Sequence, residues 1–174
     1  MLQKPAYPEF KFCPKCGEKL IWKKEGERKR EACLSCGFIH YVNPTPAAGV
    51  LIEKNGKILL VQRKFSPWKG LWQAPAGFVE WGETPEETAI REAEEEAGVK
   101  VKLEGVFDVE KIIDDPREEI VVIFYKAKIV AGKPKPGSDA AKVGWFSFDN
   151  LPKFGSASHK KVFEKLESAS KLRG

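Results

Sequence analysis

Four cysteines constrain the beginning of the chain more tightly than any other feature. They form two C-x-x-C pairs, each followed by glycine: Cys13, Cys16, Cys33 and Cys36. Two matched pairs at this spacing are typical of a tetrahedral zinc site with four thiolate ligands. A secreted disulfide scaffold is one alternative, and a redox C-x-x-C site, which needs only one pair, is another. The paired spacing favours structural zinc in a reducing compartment.

The residues between the two pairs predict a β-hairpin. A short segment with Leu20, Ile21 and Trp22 leads to Gly26, and a segment rich in Lys and Arg returns after it. A hairpin closed by zinc is a zinc ribbon, which is too small to bury a core and therefore depends on the metal. We expect this ribbon, with a short leader, over residues 1–43. The linker Asn43-Pro44-Thr45-Pro46 would lead into a second domain over residues 44–174.

Strands and helices alternate in this second domain. Apolar runs around Asn55-Gly56 predict a hairpin, and a loop with Trp68 and Trp72 follows over residues 64–76. Helices are predicted over 85–97 and 156–171, and strands near 104–113, 119–130 and 142–147. The domain is therefore expected to be α/β. Because no run approaches the roughly 20 apolar residues of a membrane helix and the N-terminus lacks an apolar signal segment, we expect a cytoplasmic protein without a membrane partner.

The charge of the chain is unevenly distributed. The net charge is +5, yet the segment from Gly77 to Val99 contains eight Glu and one Arg, a net charge of −7. The remaining residues therefore carry a net charge of +12. An acidic segment in a basic chain predicts bound cations and an anionic substrate. A solvated acidic helix is the alternative interpretation.

The predicted helix over 85–97 favours cation binding. Thr84 and Glu87 form a capping-box pattern, Pro85 occupies the first helical position and Gly98 is a natural stop. At 100° per residue, three carboxylates share one face beside a predicted buried stripe of Ala89, Ala93, Ala97 and Ile90; the carboxylates are those of Glu92, Glu95 and Glu96. Like charges at this spacing and near a helix C-terminus destabilise a helix. Mg²⁺ or Mn²⁺, which prefer oxygen ligands, would remove the repulsion.

The same segment resembles the Nudix box, G-x5-E-x7-R-E-U-x-E-E-x-G-U, in which U is aliphatic. It reads Gly77-FVEWG-Glu83-TPEETAI-Arg91-Glu92-Ala93-Glu94-Glu95-Glu96-Ala97-Gly98-Val99, so every fixed position is filled. The segments Gly70–Gly77 and Trp145–Ser147 are also similar to the family, and the resemblance covers roughly residues 44–155. It implies a Nudix-type α/β/α sandwich with a mixed sheet, acting as a pyrophosphohydrolase.

The resemblance also implies roles for individual residues. Glu92 and Glu96 would bind the catalytic metal, and Glu95 would bind metal or orient its water. A main-chain carbonyl of Ala76 or Gly77 would join the metal shell. Arg91 would pair with Glu83 and brace the loop. The general base would lie outside the box, with three candidates: Glu118, Glu119 and Asp139.

The ribbon narrows the comparison within the family. One group with a ribbon, the NADH pyrophosphatases, has a Ser-Gln-Pro-Trp-Pro-Phe stretch after the box, which this sequence lacks. The Cys33–Pro44 and Gly70–Gly77 segments are more similar to FAD and ADP-ribose pyrophosphatases. An ADP-ribose-type dinucleotide is therefore the expected substrate, with FAD beside it and NADH behind. Aromatic side chains near the box could stack on the adenine or flavin ring of the substrate, or they could pack in the core. Those expected to bind substrate are Trp72, Phe78 and Trp81.

Two other functions stay open. The basic side chains of the ribbon could hold RNA during removal of an NAD or nucleotide cap; they are Lys23, Lys24, Arg28, Lys29 and Arg30. A non-catalytic nucleotide sensor is the other possibility, although such proteins usually lose box carboxylates. Dimerisation is consistent with the family but no residue specifies it. Lone histidines are more often structural, so His40 and His159 receive no catalytic role.

Overall fold

The computed structural model describes residues 9–115, 118–137 and 139–171. The chain divides into two compact units, residues 1–44 and 45–174. Residues 1–8 of the expected leader lie outside the described residues. Neither helix of the described chain has the length and apolar composition that crossing a membrane requires.

The first unit is built on a hairpin. Strands β1 (Ile21–Glu25) and β2 (Arg28–Ala32) pair antiparallel, with Glu25 opposite Arg28 across the turn at Gly26. The two cysteine loops lie before and after this hairpin, and each closes with an amide of glycine donating to the carbonyl of the first cysteine of its pair. A small apolar cluster surrounds the thiols and includes Leu20 and Phe38. The hairpin predicted from the sequence is thus present.

The second unit is a seven-stranded mixed sheet with two helices. Its elements, in chain order, are β3 (Thr45–Lys54), β4 (Lys57–Arg63), β5 (Trp72–Gln73), β6 (Ala76–Phe78), α1 (Pro85–Ala97), β7 (Val99–Ile112), β8 (Ile120–Gly132), β9 (Ala140–Ser147) and α2 (Ala157–Lys171). The strand order is β5-β4-β3-β8-β7, with β6 paired to β3 and β9 paired to β4. Among the strands named here, β3 and β8 pair in parallel and the other pairs are antiparallel.

The sheet opens between β3 and β4. These strands pair beside their turn, at Glu53–Ile58 and Lys54–Lys57. Farther from the turn, β3 pairs with β6 over residues 47–49, and β4 pairs with β5. At that end, β3 and β4 form their backbone hydrogen bonds with β6 and β5 instead of with each other. The sheet is therefore split between β3 and β4.

The helices cover opposite faces of this sheet. Along β3, Val50 and Ile52 pack with the alanines of α1, whereas Leu51 packs with Val162 and Phe163 of α2. Successive strand residues point to opposite faces, so this alternation places one helix on each side. The structure confirms the predicted α/β/α sandwich.

Helix α1 has the ends predicted from the sequence. Thr84 Oγ1 accepts from the Glu87 amide at 3.3 Å, and the Thr84 amide donates to Glu87 Oε2 at 2.8 Å. Gly98 ends the helix with a left-handed φ of 67°. The predicted buried stripe was wrong at Ile90, which is exposed. The buried arc is centred nearer Glu96 and includes Thr88, so Ile90 lies beyond its edge.

Two strand predictions also need correction. The segment 64–76, expected to be a loop, contains β5 and the start of β6. These strands have two and three residues, too short to show an alternating pattern. Strand β7 begins at Val99 rather than near 104, because the chain leaves the Gly98 cap directly into the sheet.

Candidate active site and zinc site

A cavity of about 250 Å³ opens at the gap in the sheet. Residues from β3, β4, β5, β6, both helices and the segments after β7 and β8 line it. Its carboxylates belong to Glu80, Glu92, Glu96, Asp115 and Asp139; its other polar side chains belong to Arg63, Gln73 and His159. The remaining wall is largely apolar and includes Trp68, Phe78, Ile112, Ile120 and Val122. One cavity therefore combines an acidic wall with an apolar wall.

Glu96 is the most deeply buried carboxylate of the helix. Its side chain is held by the amide of Ala76, which donates to Oε2 at 3.1 Å. Burial raises the pKa of Glu96 to about 8, and the negative charges of Glu92 and Asp139 act in the same direction. The Ala76 amide opposes this shift. In the absence of a cation, the site therefore favours a protonated Glu96.

Glu92 lies directly against the backbone of β6. A Cβ atom placed on Gly77 would come within 2.0 Å of Glu92 Oε1, so only glycine leaves room for this carboxylate. Burial raises the pKa of Glu92, while its hydrogen bond with Arg91 at 2.6 Å lowers it. The first glycine of the acidic segment thus has a steric function at the site.

Arg91 braces the loop before α1. Its Nε and Nη2 donate to the two carboxylate oxygens of Glu83 at 2.7 and 3.0 Å, and Nη2 also donates to the Phe78 carbonyl at 3.1 Å. The Arg91 side chain, together with the Thr88 hydroxyl, lowers the pKa of Glu83 to about 2. Arg91 also contacts Glu95 at 3.1 Å, although that side chain is half exposed.

The donor set of the acidic wall fits a hard divalent cation. Its side chains offer carboxylate oxygens, which Mg²⁺ and Mn²⁺ prefer, and burial raises the pKa values of Glu92 and Glu96, with neighbouring carboxylates acting in the same direction. In the described part of the chain, only the four thiols bring three or more ligand atoms within 4.8 Å of one another. A Mg²⁺ ion usually keeps several water ligands and is held by one or two carboxylates, so it does not require such a tight cluster.

Of the three predicted base candidates, Asp139 alone lines this cavity. Its side chain is exposed, and its carbonyl accepts from the Lys64 amide at 2.9 Å. Glu118 accepts a hydrogen bond from the Thr45 hydroxyl, and Glu119 pairs with Lys111 at 2.8 Å. The structure therefore brings Asp139 together with Glu92 and Glu96.

The predicted substrate-binding aromatics lie in different environments. Phe78 lines the cavity. The Trp81 side chain is fully exposed, one residue after the cavity-lining Glu80. Trp72 packs edge to face against Phe146, with ring centroids 4.6 Å apart, and belongs to the core.

Several cavity residues were missed by the sequence analysis. Arg63 donates to the Pro67 carbonyl and to Gln73 Oε1, at 2.8 and 3.1 Å, which ties β4 to β5 and the loop between them. Asp115 follows β7 and is buried. His159 enters from the distant helix α2. The place of Glu80 in the cavity was predictable, because Glu80 lies in the acidic segment. The places of the others depend on long-range packing.

The four cysteine sulfurs of the first unit form a compact cluster. Cys13 and Cys36 Sγ are 3.6 Å apart, Cys16 and Cys33 Sγ are 3.5 Å apart, and all four sulfurs lie within 4.8 Å of one another. Zinc–thiolate bonds of about 2.3 Å place sulfurs about 3.8 Å apart, so the cluster fits zinc. His40 pairs with Glu31 at 2.6 Å in the same unit.

Two family descriptions match the chain. The NUDIX domain matches residues 43–166, and the zinc-ribbon family described as Nudix N-terminal matches residues 11–42. An ADP-ribose pyrophosphatase of Methanocaldococcus jannaschii is 39% identical over 125 residues, covering 71% of this chain and 73% of that protein.

A second relative and a solved structure extend the comparison. The NAD-capped RNA hydrolase NudC of Chromobacterium violaceum is 34% identical over 149 residues, covering 84% of this chain. The chain spans only 53% of the length of that relative. A crystal structure of a NUDIX hydrolase from Nitrosomonas europaea has a TM-score of 0.80 and 29% identity, covering 91% of each chain.

Proposed function

Because this chain belongs to the Nudix hydrolase family, we propose that its cavity hydrolyses the pyrophosphate of a nucleoside diphosphate derivative with a divalent cation. ADP-ribose is the favoured substrate and FAD the second, and the products are AMP and a phosphorylated leaving group. The similarity to an ADP-ribose pyrophosphatase supports this choice. The observation that carries the proposal is the placement of Glu92 and Glu96 in one cavity with Asp139.

Glu92 and Glu96 are the proposed ligands of Mg²⁺ or Mn²⁺, with Glu95 and the Gly77 carbonyl completing the set. A bound divalent cation neutralises charge on the phosphates and makes water more acidic. The Arg91–Glu83 pair positions Glu92, because Arg91 contacts both carboxylates. Asp139 is the proposed proton acceptor for the attacking water, since it is the candidate base in the cavity.

The apolar wall supports binding of a ring. Phe78 lines the cavity, and the exposed Trp81 is close in sequence to Glu80 on the acidic wall. Aromatic side chains at these positions can stack on a base or flavin. Trp72 supports the site indirectly through its packing on Phe146. We assign zinc a structural role in the ribbon, residues 1–43, and place hydrolysis in residues 44–174 of a cytoplasmic protein.

Product analysis tests this function. The protein is incubated with Mg²⁺ or Mn²⁺ and ADP-ribose, FAD, NADH or nucleoside triphosphates, and the products are separated by chromatography. AMP should form from ADP-ribose or FAD and should disappear in Glu96→Gln. Glu94→Gln is the matched control, because Glu94 is exposed and lies 3.8 Å from Lys100. Equal cleavage by both variants would contradict the assigned ligands, and no cleavage of any substrate by the wild type would contradict the function.

Removal of an NAD cap from RNA is the second candidate. The NudC relatives match 82% or more of this chain, and the ribbon strands carry basic side chains that are largely exposed. A phosphate-binding ribbon would make RNA affinity fall steeply with salt. Cleavage of NAD-capped RNA should then weaken in Lys23→Glu/Lys24→Glu while cleavage of free NADH stays unchanged. Equal effects on both substrates would exclude RNA contacts at this hairpin.

A further inference from the structure

His159 is the one described residue with a buried side-chain polar atom that lacks a hydrogen-bond partner. The orphaned atom is Nε2. The ring lies on α2, is almost fully buried and lines the cavity that also contains Glu92 and Glu96. A buried donor without a partner destabilises a folded protein, and a ligand in the cavity that this ring lines would supply the missing partner.

The other ring nitrogen determines where the proton lies. Nδ1 is 2.9 Å from the hydroxyl oxygen of Ser156, and the same oxygen accepts from the His159 amide at 3.3 Å. Ser156 is itself buried, and its hydroxyl hydrogen is satisfied when it is donated to Nδ1. On this hydrogen-bond pattern we assign the ring proton to Nε2, which makes that atom a donor.

The surroundings keep this donor uncharged. Burial lowers the pKa of His159 to about 4, and the positive charge of Arg63 acts in the same direction, so the ring is neutral at pH 7. The Phe124 ring stands edge-on at 5.4 Å between centroids. A neutral N–H donor does not favour phosphate over an uncharged acceptor in the way that a cation does.

The neighbouring wall has the character of a ring-binding surface. Three aliphatic side chains that line the cavity belong to the same apolar cluster on the α2 side of the sheet: Ile112, Ile120 and Val122. An apolar surface of this kind suits a flat heterocycle better than a sugar, which requires many polar partners.

We propose that His159 is a specificity-determining residue whose Nε2–H donates a hydrogen bond to a ring nitrogen of the substrate's heteroaromatic base. The proposal rests on the proposed function and deepens it. It places the base toward α2 and the pyrophosphate at the α1 carboxylates of the same cavity. Substrates without a base would lose this contact and would bind more weakly.

The test compares two product-like ligands in the presence of Mg²⁺. AMP carries the base, and ribose 5-phosphate lacks it. His159→Phe keeps a ring but removes the donor, and should raise the Kd of AMP by about 2- to 12-fold, the range for one neutral hydrogen bond. The Kd of ribose 5-phosphate should stay unchanged. His159→Gln, which retains an N–H donor, should bind AMP within about threefold of the wild type. Equal weakening of both ligands, or no change for AMP, would overturn the proposal.

A measurement on the wild-type protein avoids any effect of substitution on folding. The chain has two histidines, so the ring nitrogen signals of His159 can be resolved from those of His40 by ¹⁵N NMR. AMP should shift the Nε2 signal of His159, while ribose 5-phosphate should not. An Nε2 chemical shift that stays the same at saturating AMP would contradict the inference. Wild-type cleavage of ADP-ribose or FAD reports separately on the proposed function, so the two failures remain distinguishable.

Discussion

At the scale of single residues, the carboxylates of the acidic wall lie close together in one cavity, which is unfavourable without a bound cation. Glu96 is buried near two other carboxylates, and the Ala76 amide and the positive charge of Arg63 offset only part of that cost, so its pKa stays raised. Glu92 shares its guanidinium partner Arg91 with Glu83 and Glu95. A chain selected only for stability gains nothing from this arrangement, because unpaired buried charge destabilises folding. A metal-binding function would explain why these carboxylates lie close together.

The first prediction concerns pH and stability without added divalent cations. In the folded protein, burial raises the pKa of Glu96 from its ordinary value of 4.5 to about 8. The contribution of Glu96 to the free energy of unfolding is therefore fully present below pH 4.5 and is lost as the pH rises through about 8. In urea unfolding, the free energy of unfolding should decrease by a few kcal/mol between pH 5 and 8.5 because of this group. Glu96→Gln should abolish this part of the pH dependence. The same pH dependence in both proteins would contradict a raised pKa for Glu96 in the folded protein.

The second prediction tests the space beside Gly77. In Gly77→Ala, the added methyl group would displace the Glu92 carboxylate, because the ideal Cβ lies 2.0 Å from Oε1. Loss of a well-placed ligand should lower kcat/KM by roughly 100-fold or more and weaken Mg²⁺ activation. Steady-state kinetics against Mg²⁺ concentration measure both effects. Full activity in a folded Gly77→Ala protein would show that Glu92 can move without consequence.

At the scale of elements, α1 was predictable and the strands beside it were less so. The ends of α1 depend on Thr84, Glu87 and Gly98, which act on backbone groups within a few residues. Local sequence contains that information. The pairing of β6 with β3 and the burial of His159 depend on residues far apart in the chain, which no local pattern encodes. Helical periodicity placed Glu92 and Glu96 on one face, but the exact centre of the buried arc, and hence the exposure of Ile90, was set by the sheet.

The third prediction measures the contribution of the α1 capping box. Thr84→Ala removes the hydroxyl that accepts from the Glu87 amide, which should cost about 1 kcal/mol. The expected fall in Tm is about 2–4 °C for a domain of this size. Thr84→Ser keeps the acceptor and should remain close to the wild type. A Thr84→Ala protein that melts with the wild type would show that the sheet alone fixes the start of the helix.

At the scale of the whole molecule, the two units derive stability from different sources. The second unit has two extensive apolar clusters, one on each face of its sheet. The first has a small cluster in which thiols provide much of the buried surface. We expect a module with so little core to need a bound metal to fold, whereas the sandwich has a core of its own. Removal of zinc should therefore affect the units unequally.

The fourth prediction follows from this difference. Metal analysis should find one zinc per chain, and a strong zinc chelator should unfold the ribbon. All four cysteines lie in the first unit, so alkylation followed by mass spectrometry should add up to four groups after chelation and few before it. Hydrolysis of ADP-ribose should persist once Mg²⁺ is restored, because the cavity lies within residues 45–174. Lost hydrolysis with an intact sandwich would instead assign the ribbon a part in catalysis.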